Sequence, residues 1–201
     1  AGRRVAEPAA AASLLTEVLH EVVTDGELTR LDDLTARLVG LDPWRDAASL
    51  VALARACGRD AHQLVTDARA GADALDATLS PVSDGAAIVA ALDRALATVP
   101  AAAVTPLVEA VRQRRARGHL PPWSEWSRLA CLDAGAAHDD ALQPLRRAAA
   151  DHLRHPALRD DLRGAVELVS SLASRALAPF EARRKRERVV DYLDLESLAL
   201  G

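Results

Sequence analysis

The sequence predicts an all-α fold, an irregular bundle of about eight to ten helices, and three observations predict it. Half of the residues are apolar, and these are mostly Ala, Leu and Val. Aromatic residues make up only 2%, which disfavours sheets. Apolar positions recur at helical spacing almost throughout, with cap and breaker residues between the runs.

The first helix is expected from about Ala10 to Val23, with Leu14, Leu15, Val18, Leu19, Val22 and Val23 on one stripe, and Asp25-Gly26 ends it. Leu28, Leu31, Leu34 and Leu38 mark a second, stopped by Gly40. Asp42-Pro43 is an N-cap followed by proline at the first helical position, opening a third helix through Trp44, Ala47, Val51 and Ala54. A fourth runs from about Asp60 to Leu79, broken by Ser80-Pro81. Ile88, Leu92, Ala95, Leu96 and Val99 give the fifth. Thr105-Pro106 opens the sixth, which turns basic at Arg112, Arg114, Arg115 and Arg117 before Gly118 ends it.

After Pro121-Pro122, a short amphipathic helix carries Trp123, Trp126, Leu129 and Ala130. Another lies between about Asp140 and His152. Pro156 separates it from a longer helix holding Leu162, Val166, Val169, Ala173, Ala176 and Phe180, which Pro179 is expected to kink or end. A final short helix is expected through Leu193 to Leu200. The chain reads as a single helical module, residues 1–201, with lobes at 1–118 and 119–201.

Composition excludes several classes of function. A net charge of −4 argues against a dedicated basic nucleic-acid binder and leaves only a local basic face. Cys57 and Cys131 have neither zinc-ligand nor disulfide-framework spacing, which fits a reducing cytoplasm. There is no long uninterrupted apolar run, so no membrane association is expected. The absence of any methionine predicts a piece of a longer polypeptide.

The only lysine, Lys185, sits in Arg184-Lys185-Arg186, so a phosphate-binding loop ending in Gly-Lys-Ser/Thr is missing, as are a GxSxG elbow and an HExxH pair. This piece is expected to carry no catalytic residue and no metal of its own. His138-Asp139-Asp140, Asp151-His152 and His155 suit either a metal-activated water or helix termini, where carboxylates and imidazoles complement the dipole. Trp123 and Trp126 share a face and serve either to stack unpaired bases or to anchor a short helix on the core. Arg183, Arg184, Lys185, Arg186 and Arg188 repel one another along one helix end, which points to an anionic partner or a solvated terminus.

The stretch after that basic run is more specific. Phe180, the basic turn with Arg184, and then Val190-Asp191-Tyr192-Leu193-Asp194-Leu195-Glu196 together resemble the segment that closes the 1B accessory subdomain of UvrD/RecB/AddA-like superfamily 1 DNA helicases. Phe180 stands where that family usually has Tyr, Arg184 where it has Lys, and Arg188 where it has Gly. Pro122-Trp123-Ser124-Glu125-Trp126 and His155-Pro156-Ala157-Leu158-Arg159-Asp160-Asp161-Leu162 resemble its exonuclease-V-type branch.

The resemblance implies a helical subdomain of an ATP-dependent DNA helicase or helicase-nuclease acting in DNA repair or recombination. Its partners would be DNA, as a single strand or fork duplex, and the flanking motor domains of the same polypeptide, which would supply Mg-ATP hydrolysis. It implies phosphate contacts by Arg183, Arg184, Lys185, Arg186 and Arg188, with Arg112, Arg114, Arg115 and Arg117 behind them. Phe180, Asp191, Tyr192, Asp194 and Glu196 would then dock the insertion on the motor core. The alternative is a helical protein-interaction or regulatory module that binds no nucleic acid.

Overall fold

A computed structural model describes residues 8–79, 81–133 and 138–187. All regular structure among them is helical: α1 (Pro8–Val22), α2 (Asp25–Arg37), α3 (Pro43–Ala56), α4 (Ala61–Thr78), α5 (Gly85–Thr98), α6 (Pro106–Ala116), α7 (Trp123–Ala130), α8 (Asp139–Ala150) and α9 (Pro156–Glu187), with short 3-10 turns at Ala101–Ala103 and Asp151–Arg154. None of these helices is long and apolar enough to cross a membrane.

Local chemistry explains where the helices start and stop. Asp42 accepts from the Arg45 amide at 3.1 Å with Pro43 behind it, and Thr105 accepts from Val108 at 3.3 Å with Pro106 behind it. Asp25-Gly26 opens α2 as well as following α1. The reason is a reciprocal cap: the Thr24 amide donates to Glu27 Oε2 at 3.0 Å and the Glu27 amide donates to Thr24 Oγ1 at 3.3 Å. Asp60 and Gln63 repeat the arrangement ahead of α4, at 3.0 and 2.8 Å.

Gly118, with φ of 80°, takes the left-handed turn that closes α6; its amide reaches the Arg115 carbonyl while the His119 amide reaches that of Arg114. Gly58 ends α3 the same way, its amide on Arg55 and that of Arg59 on Ala54.

Of the two expectations at Pro179, a kink or an end, the end is overturned: α9 continues to Glu187. The ring removes one donor to the Arg175 carbonyl, yet Ala173, Ala176 and Phe180 on either side are buried, and their packing holds the helix through the lost bond. The expected helix at Leu193 to Leu200 lies outside the described residues.

The chain forms two compact units, one from residues 1–33, 41–73 and 164–201, the other from 34–40 and 74–163, so position 118 falls inside the second. The first unit is built on Val18 and Leu19 of α1, Val51 of α3 and Leu172 of α9, all almost wholly buried. The second encloses Leu92 of α5, Val108 and Val111 of α6, Trp126 and Leu129 of α7, and Leu142 and Leu145 of α8. Each large apolar side chain so enclosed contributes about 1.5–3 kcal/mol of transfer free energy.

Candidate nucleic-acid interface

At the C-terminal end of α9, in the first unit, the basic run divides into cations that face carboxylates and cations that face water. Positions 180 and 184 are one helical turn apart, so they share a face, and it is the inner one. Phe180 is buried, with the Arg55 guanidinium 5.4 Å from its ring centre. Arg184 is buried as well, and donates to Glu181 Oε2 at 2.9 Å. The other oxygen of Glu181 accepts from Arg55 Nε at 2.5 Å. Burial pushes the Glu181 carboxyl up, but Arg184 and Arg55 outweigh it and hold the group below its usual range.

Arg183 sits on the α1 side of the same helix. Its guanidinium donates to Glu21 at 2.6 Å, Glu17 at 2.8 Å and Glu187 at 3.1 Å. The bonds to Glu21 and Glu187 raise it above its ordinary range. A cleft of about 440 Å³ opens beside it, lined by Val18, Glu21, Pro179, Ala182, Arg183 and Arg186. Lys185 and Arg186 are exposed; the Arg186 side chain is 74% accessible, with Glu187 at 3.7 Å. Cations held this loosely remain available to a phosphate. Arg188, Asp191, Tyr192, Asp194 and Glu196 lie outside the described residues.

The basic end of α6 belongs to the second unit. Arg112 spans the carbonyls of Leu96 at 2.6 Å and Val99 at 3.1 Å, capping the end of α5. Arg115 makes a two-pronged bond to Asp93, 2.9 Å on each side, and that bond raises it above its ordinary range. Arg114 reaches Glu125 at 3.2 Å. Arg117, at the cap position, is exposed.

The paired tryptophans point inward. Trp126 is wholly enclosed and Trp123 nearly so, with its indole N–H on Asp161 at 2.8 Å. The other Asp161 oxygen is ion-paired with Arg37, a contact between positions far apart in sequence that no spacing rule would find. His152 and His155 pack on the indoles, ring centres 5.4 to 6.5 Å apart.

His152 Nδ1 faces the Ala149 carbonyl at 2.8 Å and so must carry its proton there, leaving Nε2 to accept from Ser127 Oγ at 3.2 Å. His155 Nδ1 accepts from the Ala157 amide at 3.1 Å. Burial lowers both imidazoles below their ordinary range; for His152 the Ala149 carbonyl opposes part of the shift. Asp139 and Asp151 are instead paired with Arg146 and Arg154. No group of three or more His, Cys, Asp or Glu placed to hold a metal occurs among the described residues.

No protein-family model, curated protein or solved structure matches this chain.

Proposed function

We propose that this chain is a DNA-contacting helical subdomain of a larger cytoplasmic ATP-dependent helicase or helicase-nuclease that acts in DNA repair or recombination. Nucleotide hydrolysis with Mg-ATP would belong to flanking motor domains. The reading rests on the order of Phe180, Arg184, Asp191, Tyr192, Asp194 and Glu196, which resembles the close of a superfamily 1 helicase 1B subdomain.

The observation that carries it furthest is the division of labour at the end of α9. Phe180 and Arg184 turn inward as anchors, while Lys185 and Arg186 stand in solvent. Contacts of this kind hold the sugar-phosphate backbone, are blind to sequence and weaken with salt. Arg117, on the second unit, is a further solvent-facing cation.

The test is fluorescence anisotropy with forked and single-stranded DNA at two or more salt concentrations. Lys185→Ala with Arg186→Ala lowers affinity about tenfold and reduces the salt slope by roughly two phosphates' worth. Affinity unchanged at low salt removes the assignment.

One observation favours the second reading, a protein-interaction or regulatory module. Arg183, Arg184, Arg112, Arg114 and Arg115 all have acceptors within the chain, which leaves few cations for an external anion. That reading predicts no salt-sensitive binding to any DNA form.

A further inference from the structure

Almost every described arginine of the first unit has an acidic partner, from Arg45 on Asp42 and Asp46 to Arg186 beside Glu187. Two do not. Among the described residues Arg30 of α2 and Arg69 of α4 have neither a hydrogen bond nor an ion pair, and both line one cavity of about 330 Å³ against the middle of α9.

Ser171, also without a partner there, adds a hydroxyl to the same wall. Val65 and Val166 supply apolar surface, and Ser170 is occupied, donating to the Glu167 carbonyl at 3.2 Å. The Glu167 carboxylate lines the cavity too, yet it bonds neither guanidinium.

A Cβ added at Gly164 would stand 3.1 Å from Arg30 Nη2, so the absence of a side chain there lets the guanidinium lie against α9. Two forked donors and a hydroxyl, facing a space at the small end of ligand-sized pockets, are a set that answers a tetrahedral oxyanion with several acceptors.

We propose that this cavity binds a phosphate group, held between Arg30 and Arg69 with Ser171 as a third donor, the rest of the ligand lying on Val65 and Val166. Glu167 stands on the same wall and its negative charge restrains the affinity for the anion. The site is separate from the end of α9 and does not depend on the helicase reading. The phosphate comes either from a small free ester or from a nucleic-acid backbone.

Isothermal titration of the full chain with inorganic phosphate and with AMP, beside anisotropy with a short single-stranded oligonucleotide, tests it. Arg30→Ala and Arg69→Ala each weaken binding about tenfold, with circular dichroism unchanged because both side chains are exposed. Gly164→Ala, which displaces the Arg30 guanidinium and favours the helix, weakens binding while raising the melting temperature. Glu167→Gln tightens it. Loss of AMP affinity in these variants identifies a free ester. If only the oligonucleotide responds to them, the ligand is a backbone phosphate.

The proposal is overturned by no saturable binding of any of the three probes, or by binding that is equal in wild type and in the Arg30→Ala/Arg69→Ala double variant. Binding that moves only with Lys185 and Arg186 belongs to the end of α9, and likewise overturns it.

Discussion

Glu181 shows how much one carboxylate decides. It neutralises Arg55 and Arg184 at once, and each of these lies against the buried Phe180 end of α9. Replacing it with Gln keeps the shape and removes the one negative charge that these two guanidiniums share. Glu181→Gln is expected to lower the unfolding free energy by about 2 kcal/mol in urea titration; an unchanged midpoint would contradict the shared-carboxylate role. Only the local part of this was legible in the sequence. Glu181 and Glu187 lie within a turn of Arg184 and Arg183, but Glu17 and Glu21 are more than 160 positions from Arg183, and charge spacing along one helix cannot report them. Arg55 carried no local signal at all.

At the scale of elements the sequence was far more informative, because caps are local. Asp42-Pro43, Thr105-Pro106 and Gly118 each bound a helix where their chemistry says they should. The start of α2 was legible in principle, since Thr24-Asp25-Gly26-Glu27 has the spacing of a capping box; Gly26 drew attention to an ending and hid a beginning. Thr24→Ala removes one end of that reciprocal cap and is expected to cost about 1 kcal/mol of stability by thermal or chemical denaturation.

Pro179 marks the opposite case, where burial overrides propensity. Because the side chain is exposed and only the ring opposes the helix, Pro179→Ala restores a donor to the Arg175 carbonyl and is expected to stabilise by about 1–3 kcal/mol. A lowered melting temperature would mean that the ring itself makes a contact worth more than the bond it removes.

For the whole molecule, the all-α class followed from composition and period, whereas the grouping of helices did not. Units assembled from separated stretches depend on long-range packing, which no breaker residue between 118 and 119 announces. The core of the second unit sets the largest expected effect: Leu142→Ala, at a fully enclosed site, should cost about 2–5 kcal/mol in urea titration.

Acid should act on that unit first. The folded state holds His152 and His155 below their ordinary 6.5, so unfolded chains bind protons more readily there. Their contribution is intact above that value and is lost as pH falls through the lowered ones, at no more than about 2.7 kcal/mol per pH unit for two protons. Glu27 and Glu181, held below 4.5, add a second loss further down. Denaturation midpoints measured from pH 8 to about pH 2 should therefore decline in two stages, and His152→Gln with His155→Gln should flatten the upper stage alone.

The placement of the indoles makes the two halves of the chain separately observable. Trp44 lies half-buried in the first unit with the His20 ring 4.2 Å away, whereas Trp123 and Trp126 are enclosed in the second beside two imidazoles. Their emission should differ in colour, and protonated histidine quenches a neighbouring indole. With Trp44→Phe the remaining signal reports only the second unit, and with Trp123→Phe and Trp126→Phe only the first, so a single cuvette experiment can follow each half melt under its own light.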